Sequence, residues 1–207
     1  MSNTPNSIKI GDQRLTPTKI VCVGRNYAAH IEELKNEVPD EMVVFSKPNS
    51  AISDQLIAIH QEAINYEGEL SFVIEGGRFV AVGFGLDLTK RALQEILKAK
   101  GLPWERAKAF DGAALFSPFV RISEVDPALT LELEINGTTV QKADTSLMLY
   151  KPASILEEIS SFMTLNDGDI VMTGTPKGVG IIQPGDQYCG KITLRDKIVT
   201  QAEWIAR

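Results

Sequence analysis

Glu67 and Glu69 flank a single glycine at the entry to the apolar run LSFVI (residues 70–74), and Asp87 interrupts a second apolar stretch in FGLDLT. A carboxylate buried without a counter-charge is costly, so two on one face of a buried strand require a cation or strong donors. Residues two apart on a strand point the same way, about 6.5–7 Å apart, so both side chains can converge on one ion. Gly68 between them is expected to leave the opposite face open, and Asp87 is the candidate third ligand. Three carboxylates with no imidazole or thiolate suit Mg²⁺ or Mn²⁺, with Ca²⁺ also accommodated, better than zinc. The competing reading is a solvated acidic pair. The chain carries its own comparison in Glu132-Leu-Glu134, where LTLELEI alternates cleanly and the glutamates share the wet face of a half-buried strand. The first pair lacks that alternation.

His30 lies three residues before Glu33 in GRNYAAHIEEL, so on a helix the two side chains share a face. A carboxylate that orients an imidazole makes a base able to take a proton from water; alternatively Glu33 is one more solvated helix charge. His60, in IAIHQEA, reads as a surface or packing residue. TGTPKGVG is a constrained loop with backbone N–H groups and the Thr175 hydroxyl, suited either to an anionic oxygen or to a plain tight turn. GFGLDL lacks the third glycine of a dinucleotide fingerprint, and GTPKGVG lacks the Gly-Lys-Ser/Thr ending of a phosphate loop.

Short strands must position these residues. KIVCVG (19–24), EMVVFSKP, QLIAI, the stretch from Glu67 to Ile74, and RFVAVGFGLDL have β character, and NYAAHIEELKNE is expected to be a polar helix after the first of them. KRALQEILKAK places Leu93, Ile96 and Leu97 at helical spacing and stops at Gly101-Leu-Pro103. LTLELEINGTTVQKA predicts a hairpin turning at Asn136-Gly137, and PASILEEISSFM a helix with Pro152 in its first turn. GDIVMTGTPKGVG and the C-terminal GDQYCGKITLRDKIVTQAEWI complete a pattern of strand, glycine loop and strands. Many short strands and few helices without regular alternation define a β-rich α+β class.

The chain has 207 residues and a formal charge of −6, enough for one core and the wrong sign for non-specific nucleic-acid binding. Cys22 and Cys189 form no CxxC pair, which fits a reduced compartment. No signal-like N-terminus and no membrane-length apolar run are evident. These features predict a cytoplasmic chain acting on a small organic molecule, with an N-terminal extension over 1–18 and a single catalytic domain over 19–207.

KIVCVGRNYAAHIEEL, FSKPNSAI, YEGELSFVI, LDLTKRALQ, GLPWERAKAFDGAALFSPFV and GDIVMTGTPKGVG, in this order, resemble the fumarylacetoacetate hydrolase family, in its short acylpyruvate hydrolase and oxaloacetate decarboxylase-like branch. The resemblance implies a mixed β-roll, a homodimer, and Glu67, Glu69 and Asp87 as Mg²⁺ or Mn²⁺ ligands. It implies that His30 and Glu33 are a water-activating dyad on a segment able to close over substrate. Lys108 matches a position that shares the developing negative charge, and Arg91, Gln94 and Thr175 match other substrate-contacting positions; Arg25, Asn26 and Lys47 fall in adjoining motifs, with Arg25 and Lys47 expected to contact substrate. One departure is visible, since EGGRFVAVG is shorter than the segment the family often carries there, and the extra N-terminal domain of fumarylacetoacetases is not expected in this chain. The activity implied first is hydrolysis of acylpyruvates through a pyruvate enolate. Oxaloacetate decarboxylation or keto–enol exchange at the same site is the alternative, and a 2-oxo-acid-binding protein without turnover is a third reading.

Overall fold

The computed structural model describes residues 5–34 and 40–207. Its main sheet has seven strands. In spatial order six of them are Ala114–Phe116, Arg78–Asp87, Gly68–Glu75, Ile170–Met172, Lys19–Gly24 and Val43–Pro48, and Val120–Arg121 pairs with Arg78–Asp87 beside the first. Ile170–Met172 runs parallel to Lys19–Gly24, while the other pairings in this sheet are antiparallel. The sheet is therefore mixed. A second, antiparallel sheet of four strands has the order Thr138–Asp144, Leu129–Ile135, Gln187–Leu194 and Lys197–Ile205. The inner faces of the two sheets share the larger apolar core, with Leu70, Phe72, Phe84, Leu131, Leu133 and Ile192 almost wholly buried. This is the β-rich α+β architecture anticipated from the sequence.

Sequence determines the local elements in recognisable ways. Gly68–Glu75 is buried along nearly its whole length, as expected for a continuous apolar run, whereas Leu129–Ile135 alternates buried and half-buried positions. Glu132 and Glu134 lie on the wetter face and pair with Lys142 at 2.8 Å and Lys191 at 2.6 Å. The hairpin turns at Asn136 and Gly137, whose φ values of 51° and 77° are those of a type I′ turn. Helix Arg91–Ala99 stops before Gly101, which takes φ 62°. Helix Pro152–Phe162 starts on its proline.

The expected strand in QLIAI is only partly formed. Leu56 and Ala58 are buried, but their backbone groups exchange hydrogen bonds with Arg207 at the chain end, and regular pairing begins only at Ile59–His60. The helix expected over NYAAHIEELKNE spans Ala28–Glu33, and its continuation through Lys35, Asn36 and Glu37 lies outside the described residues. Residues before Lys19 supply a hairpin, Ile8–Ile10 with Gln13–Leu15, whose Ile8 and Ile10 are buried in a smaller apolar cluster with Ile20 and Phe119. That segment packs into the domain.

Candidate active site

The acidic cluster follows from antiparallel register. Gly68 pairs with Leu86 and Glu69 with Gly85, and the Asp87 N–H donates to the Glu67 carbonyl at 2.8 Å. Glu67 and Asp87 thus stand across from each other, with Glu69 on the same face two residues along. Gly85 sits opposite Glu69 and adds no side chain to this face. Carboxylate oxygens of Glu67, Glu69 and Asp87 lie within 4.8 Å of one another, and all three residues are buried. Gly68 does not leave the other face open, contrary to the expectation from sequence. A Cβ there would lie 2.9 Å from the Phe84 ring and 3.0 Å from Gln141 Oε1, so glycine is required by close packing.

Cations are built in around the cluster. Lys108, on the one-turn helix Glu105–Lys108, donates to Glu67 Oε2 at 2.7 Å, Asp87 Oδ2 at 2.8 Å and Thr89 Oγ at 2.6 Å, with its ammonium 5.1 Å from the Phe45 ring centre. Arg91 pairs with the other oxygen of Glu67 and donates to Gln94 Oε1 at 2.8 Å, one turn further along its helix. Lys47 is the unexpected member. It is 0% exposed, its Nζ lies 2.7 Å from Asp87 Oδ1, and it donates to the backbone carbonyl of Lys108. The sequence reading expects a substrate contact here; the structure places the ammonium against Asp87 and the Lys108 carbonyl, outside the cavity lining, which is the position of a buttress for Asp87.

The charges respond to this arrangement. Burial opposes ionisation of Glu67, but Lys108 and Arg91 outweigh it and hold its carboxyl well below the usual range. Burial, with Asp87 and Glu67 alongside, pushes Glu69 well above the usual range despite Lys108 and the Gly174 N–H. For Lys108 burial works against the charge, yet Asp87 and Glu67 raise the ammonium above the ordinary lysine range, so it stays cationic at neutral pH. Glu69 is the under-compensated member: among the described residues its hydrogen-bond partner is a single backbone N–H, that of Gly174 at 2.8 Å. Three buried hard-oxygen donors with one short of positive charge fit Mg²⁺ or Mn²⁺, and Ca²⁺ by the same chemistry.

His30 lines the same cavity as the carboxylates and is paired with Glu33. His30 is 5% exposed and its Nδ1 lies 3.2 Å from Glu33 Oε2. Glu33 Oε1 accepts from the Gly178 N–H at 2.9 Å. A carboxylate oxygen accepts from an imidazole N–H, so this pairing puts the ring proton on Nδ1 and leaves the Nε2 lone pair without it. The TGTPKGVG loop therefore spends two amides on site carboxylates, Gly174 on Glu69 and Gly178 on Glu33. Both glycines are obligatory: φ is 98° and 100°, a Cβ at Gly174 would lie 2.8 Å from Asn26 Cβ, and one at Gly178 would fall on the Val140 carbonyl oxygen. Asn26 supports the loop by donating to the Thr173 and Tyr150 carbonyls at 2.8 and 3.0 Å.

A cavity of about 40 Å³ collects these groups: Arg25, His30, Glu67, Glu69, Asp87, Arg91, Gln94, Lys108 and Thr175 line it, with Phe45 and Trp104 as apolar wall. Arg25 adopts φ 56°, a left-handed conformation rare for a side-chain-bearing residue. Lys47 and Glu33 do not line the cavity. A far larger open groove between the N-terminal hairpin and the Asn49–Gln55 region offers no comparable cluster of buried titratable groups among the described residues. Sequence reasoning missed Gln141, whose signal is a long polar side chain at the inward-facing parity of TTVQKAD, and Thr89, the third partner of Lys108.

Fold and site together define a β-rich domain that gathers three buried carboxylates, a lysine and a histidine–glutamate pair around one small cavity. Residues 19–201 match the family described as fumarylacetoacetate (FAA) hydrolase C-terminal, and the chain belongs to that family. It is 42% identical over 188 residues to oxaloacetate tautomerase YcgM of Escherichia coli, covering 82% of this chain and 86% of that one. The mitochondrial oxaloacetate tautomerase oaa1 of Schizosaccharomyces pombe is also 42% identical, over 192 residues, covering 81% and 85%. Among solved structures, fumarylpyruvate hydrolase from Pseudomonas aeruginosa in complex with Mn²⁺ and pyruvate superposes with a TM-score of 0.89 at 29% identity, covering 100% of this chain and 97% of that one.

Proposed function

We propose that this chain is a divalent-metal-dependent enzyme that interconverts the keto and enol forms of oxaloacetate. The observation that carries the reading is the meeting, in one cavity, of the carboxylate cluster, Lys108 with its ammonium held between Glu67 and Asp87, and His30 with Nδ1 engaged by Glu33. Tautomerisation needs a group that moves a proton at carbon and a fixed positive charge for the enolate oxygen. The reading is supported by relatives named oxaloacetate tautomerase at 37–42% identity over more than four-fifths of this chain.

Glu67, Glu69 and Asp87 would hold the cation, Mg²⁺ or Mn²⁺. When bound, it supplies Lewis acidity toward a carboxylate oxygen and the neighbouring keto oxygen of a 2-oxo acid. His30 Nε2 takes the proton from the methylene carbon, with Glu33 stabilising the imidazolium through Nδ1–H. Lys108 faces the negative charge as it moves onto oxygen. Arg91 and Gln94 hold the distal carboxylate, and Phe45 and Trp104 exclude water on one side. The proton on His30 then passes either back to carbon, regenerating the keto form, or to the enolate oxygen, giving the enol.

Acylpyruvate hydrolysis, the activity favoured from sequence, becomes the second reading. It is supported by the fumarylpyruvate hydrolase likeness, at lower identity, and it uses the same enolate with His30 acting on water instead of carbon. The test follows enol absorbance and pyruvate release separately, with keto- and enol-oxaloacetate, acetylpyruvate and fumarylpyruvate as substrates and uncatalysed exchange subtracted. Loss of enol absorbance without pyruvate is expected from oxaloacetate. Pyruvate release from an acylpyruvate faster than that exchange would move the assignment to hydrolysis. We place the chain in the cytoplasm as a homodimer; Ile198 and Ile205, both more than half exposed on an outer strand of the second sheet, offer apolar area for a partner, and sedimentation equilibrium reads the assembly directly.

A further inference from the structure

Gln141 belongs to the second sheet, on Thr138–Asp144, and is 1% exposed. Its Oε1 accepts from the Gly68 N–H at 2.8 Å, and its Nε2 donates at 2.8 Å to both the Thr175 hydroxyl and the Pro176 carbonyl. Chemistry fixes which end is which, because a backbone N–H can only donate and a backbone carbonyl can only accept. With its lone pair facing Gln141, the Thr175 hydroxyl turns its proton to the Gly68 carbonyl at 3.0 Å. The result is a closed ring in which both polar groups of Gly68 are held.

Those two groups belong to the two peptide planes that flank Gly68. One plane joins it to Glu67 and the other to Glu69, so holding both sets the directions in which the two carboxylates leave the backbone. The neighbouring strand Ile170–Met172 cannot do this, since its pairing with Gly68–Glu75 covers only Ser71 to Val73 and is extended one step by Thr173 bonding the Leu70 carbonyl. Gln141 takes over where the sheet ends. The same amide pins Thr175 and Pro176, between the two glycines, Gly174 and Gly178, that reach Glu69 and Glu33.

We propose that Gln141 is a positioning residue for the catalytic centre, setting the two glutamates that flank Gly68 and holding the loop that joins them to the dyad. It touches neither substrate nor cation. The inference rests on the assignment of Glu67, Glu69 and Asp87 as cation ligands. Groups that orient ligating side chains typically account for about ten- to a hundredfold in metal affinity or activity.

Mn²⁺ alone, titrated calorimetrically into the full chain, is the probe. Gln141→Met keeps length and burial but removes all three hydrogen bonds. Its Mn²⁺ dissociation constant is expected to rise at least about tenfold, with kcat falling more than KM rises, at a temperature where circular dichroism shows it folded. A folded Gln141→Met that binds Mn²⁺ within about twofold of the native chain overturns the proposal. Should Gln141→Met not fold, Gln141→Glu serves with the same thresholds, since it retains the Gly68 acceptor and sets an oxygen against the Pro176 carbonyl. The native chain and Asp87→Ala separate the two levels: a native chain that fails to bind Mn²⁺ overturns the ligand assignment and the inference with it. Native binding abolished by Asp87→Ala supports the assignment and leaves the Gln141 variants to decide the inference.

Discussion

Replacing Lys47 by methionine separates a buttress from a substrate contact. The ammonium sits 2.7 Å from Asp87 Oδ1, with both side chains at most 1% exposed. At an effective dielectric near 20 such a pair attracts by roughly 6 kcal/mol, most of it offset by desolvation. Removing one partner of a buried pair leaves the other uncompensated, at a typical cost of about 3–5 kcal/mol. Lys108 still holds Asp87 Oδ2 at 2.8 Å, so the lower end, about 3 kcal/mol, is expected for Lys47→Met in urea unfolding at pH 7. Methionine fills a similar volume, so little of the loss comes from a void. Asp87→Asn in the same background removes the stranded charge, and the double variant should recover about 2 kcal/mol relative to additivity. A substrate contact predicts the opposite: native stability with a raised KM. Loss below about 1 kcal/mol, or simple additivity of the two substitutions, would refute the buttress.

Gly178→Ala forces a Cβ onto the Val140 carbonyl at φ 100°. It should cost about 2–3 kcal/mol, lower the melting temperature by roughly 5 °C or more, and reduce kcat by loosening Glu33; an unchanged melting temperature speaks against the close approach. Asp169 accepts from the Thr18 hydroxyl at 2.6 Å, from the Thr18 and Lys19 N–H groups at 3.1 Å, from the Asn166 N–H at 2.8 Å and from the Lys19 ammonium. Burial opposes ionisation, but these donors, led by Lys19 and Thr18, leave its carboxyl below the usual range. A depressed carboxylate contributes stability that is complete above its unfolded value, near pH 4, and is lost as pH falls through the folded one. Asp169→Asn should therefore cost about 2 kcal/mol at pH 7, with the gap to the native chain narrowing below about pH 4; a gap independent of pH in acid melts would contradict this.

What the sequence makes legible here is what is expensive. Glu67 and Glu69 stand out because an unbroken apolar run follows them, and Glu132 and Glu134 recede because theirs alternates. The turn at Asn136-Gly137 and the stop at Gly101 are local backbone chemistry and are read directly. Register is different, because the Asp87 N–H finds the Glu67 carbonyl only once a hairpin has settled its offset. Lys47 shows the same limit: FSKP supplies an ammonium, but only the tertiary fold decides whether it faces the cavity or Asp87. Gln141 is hidden for a further reason, since its three partners come from two segments distant in sequence.

The two amides that the glycine loop gives to the site span long stretches of chain: Gly174 to Glu69 is a separation of 105 residues and Gly178 to Glu33 one of 145. The carboxylate cluster itself is nearly local, made by one hairpin. Assembly of the centre is thus split in time along the polypeptide. As the chain emerges from synthesis, the carboxylates and the lysine between them are complete in sequence by Lys108, while the loop amides that hold Glu69 and Glu33 wait for the last fifth of the chain. A chain ending before Gly174 would retain every carboxylate of the cluster and lack the element that holds Glu69 and Glu33 in register.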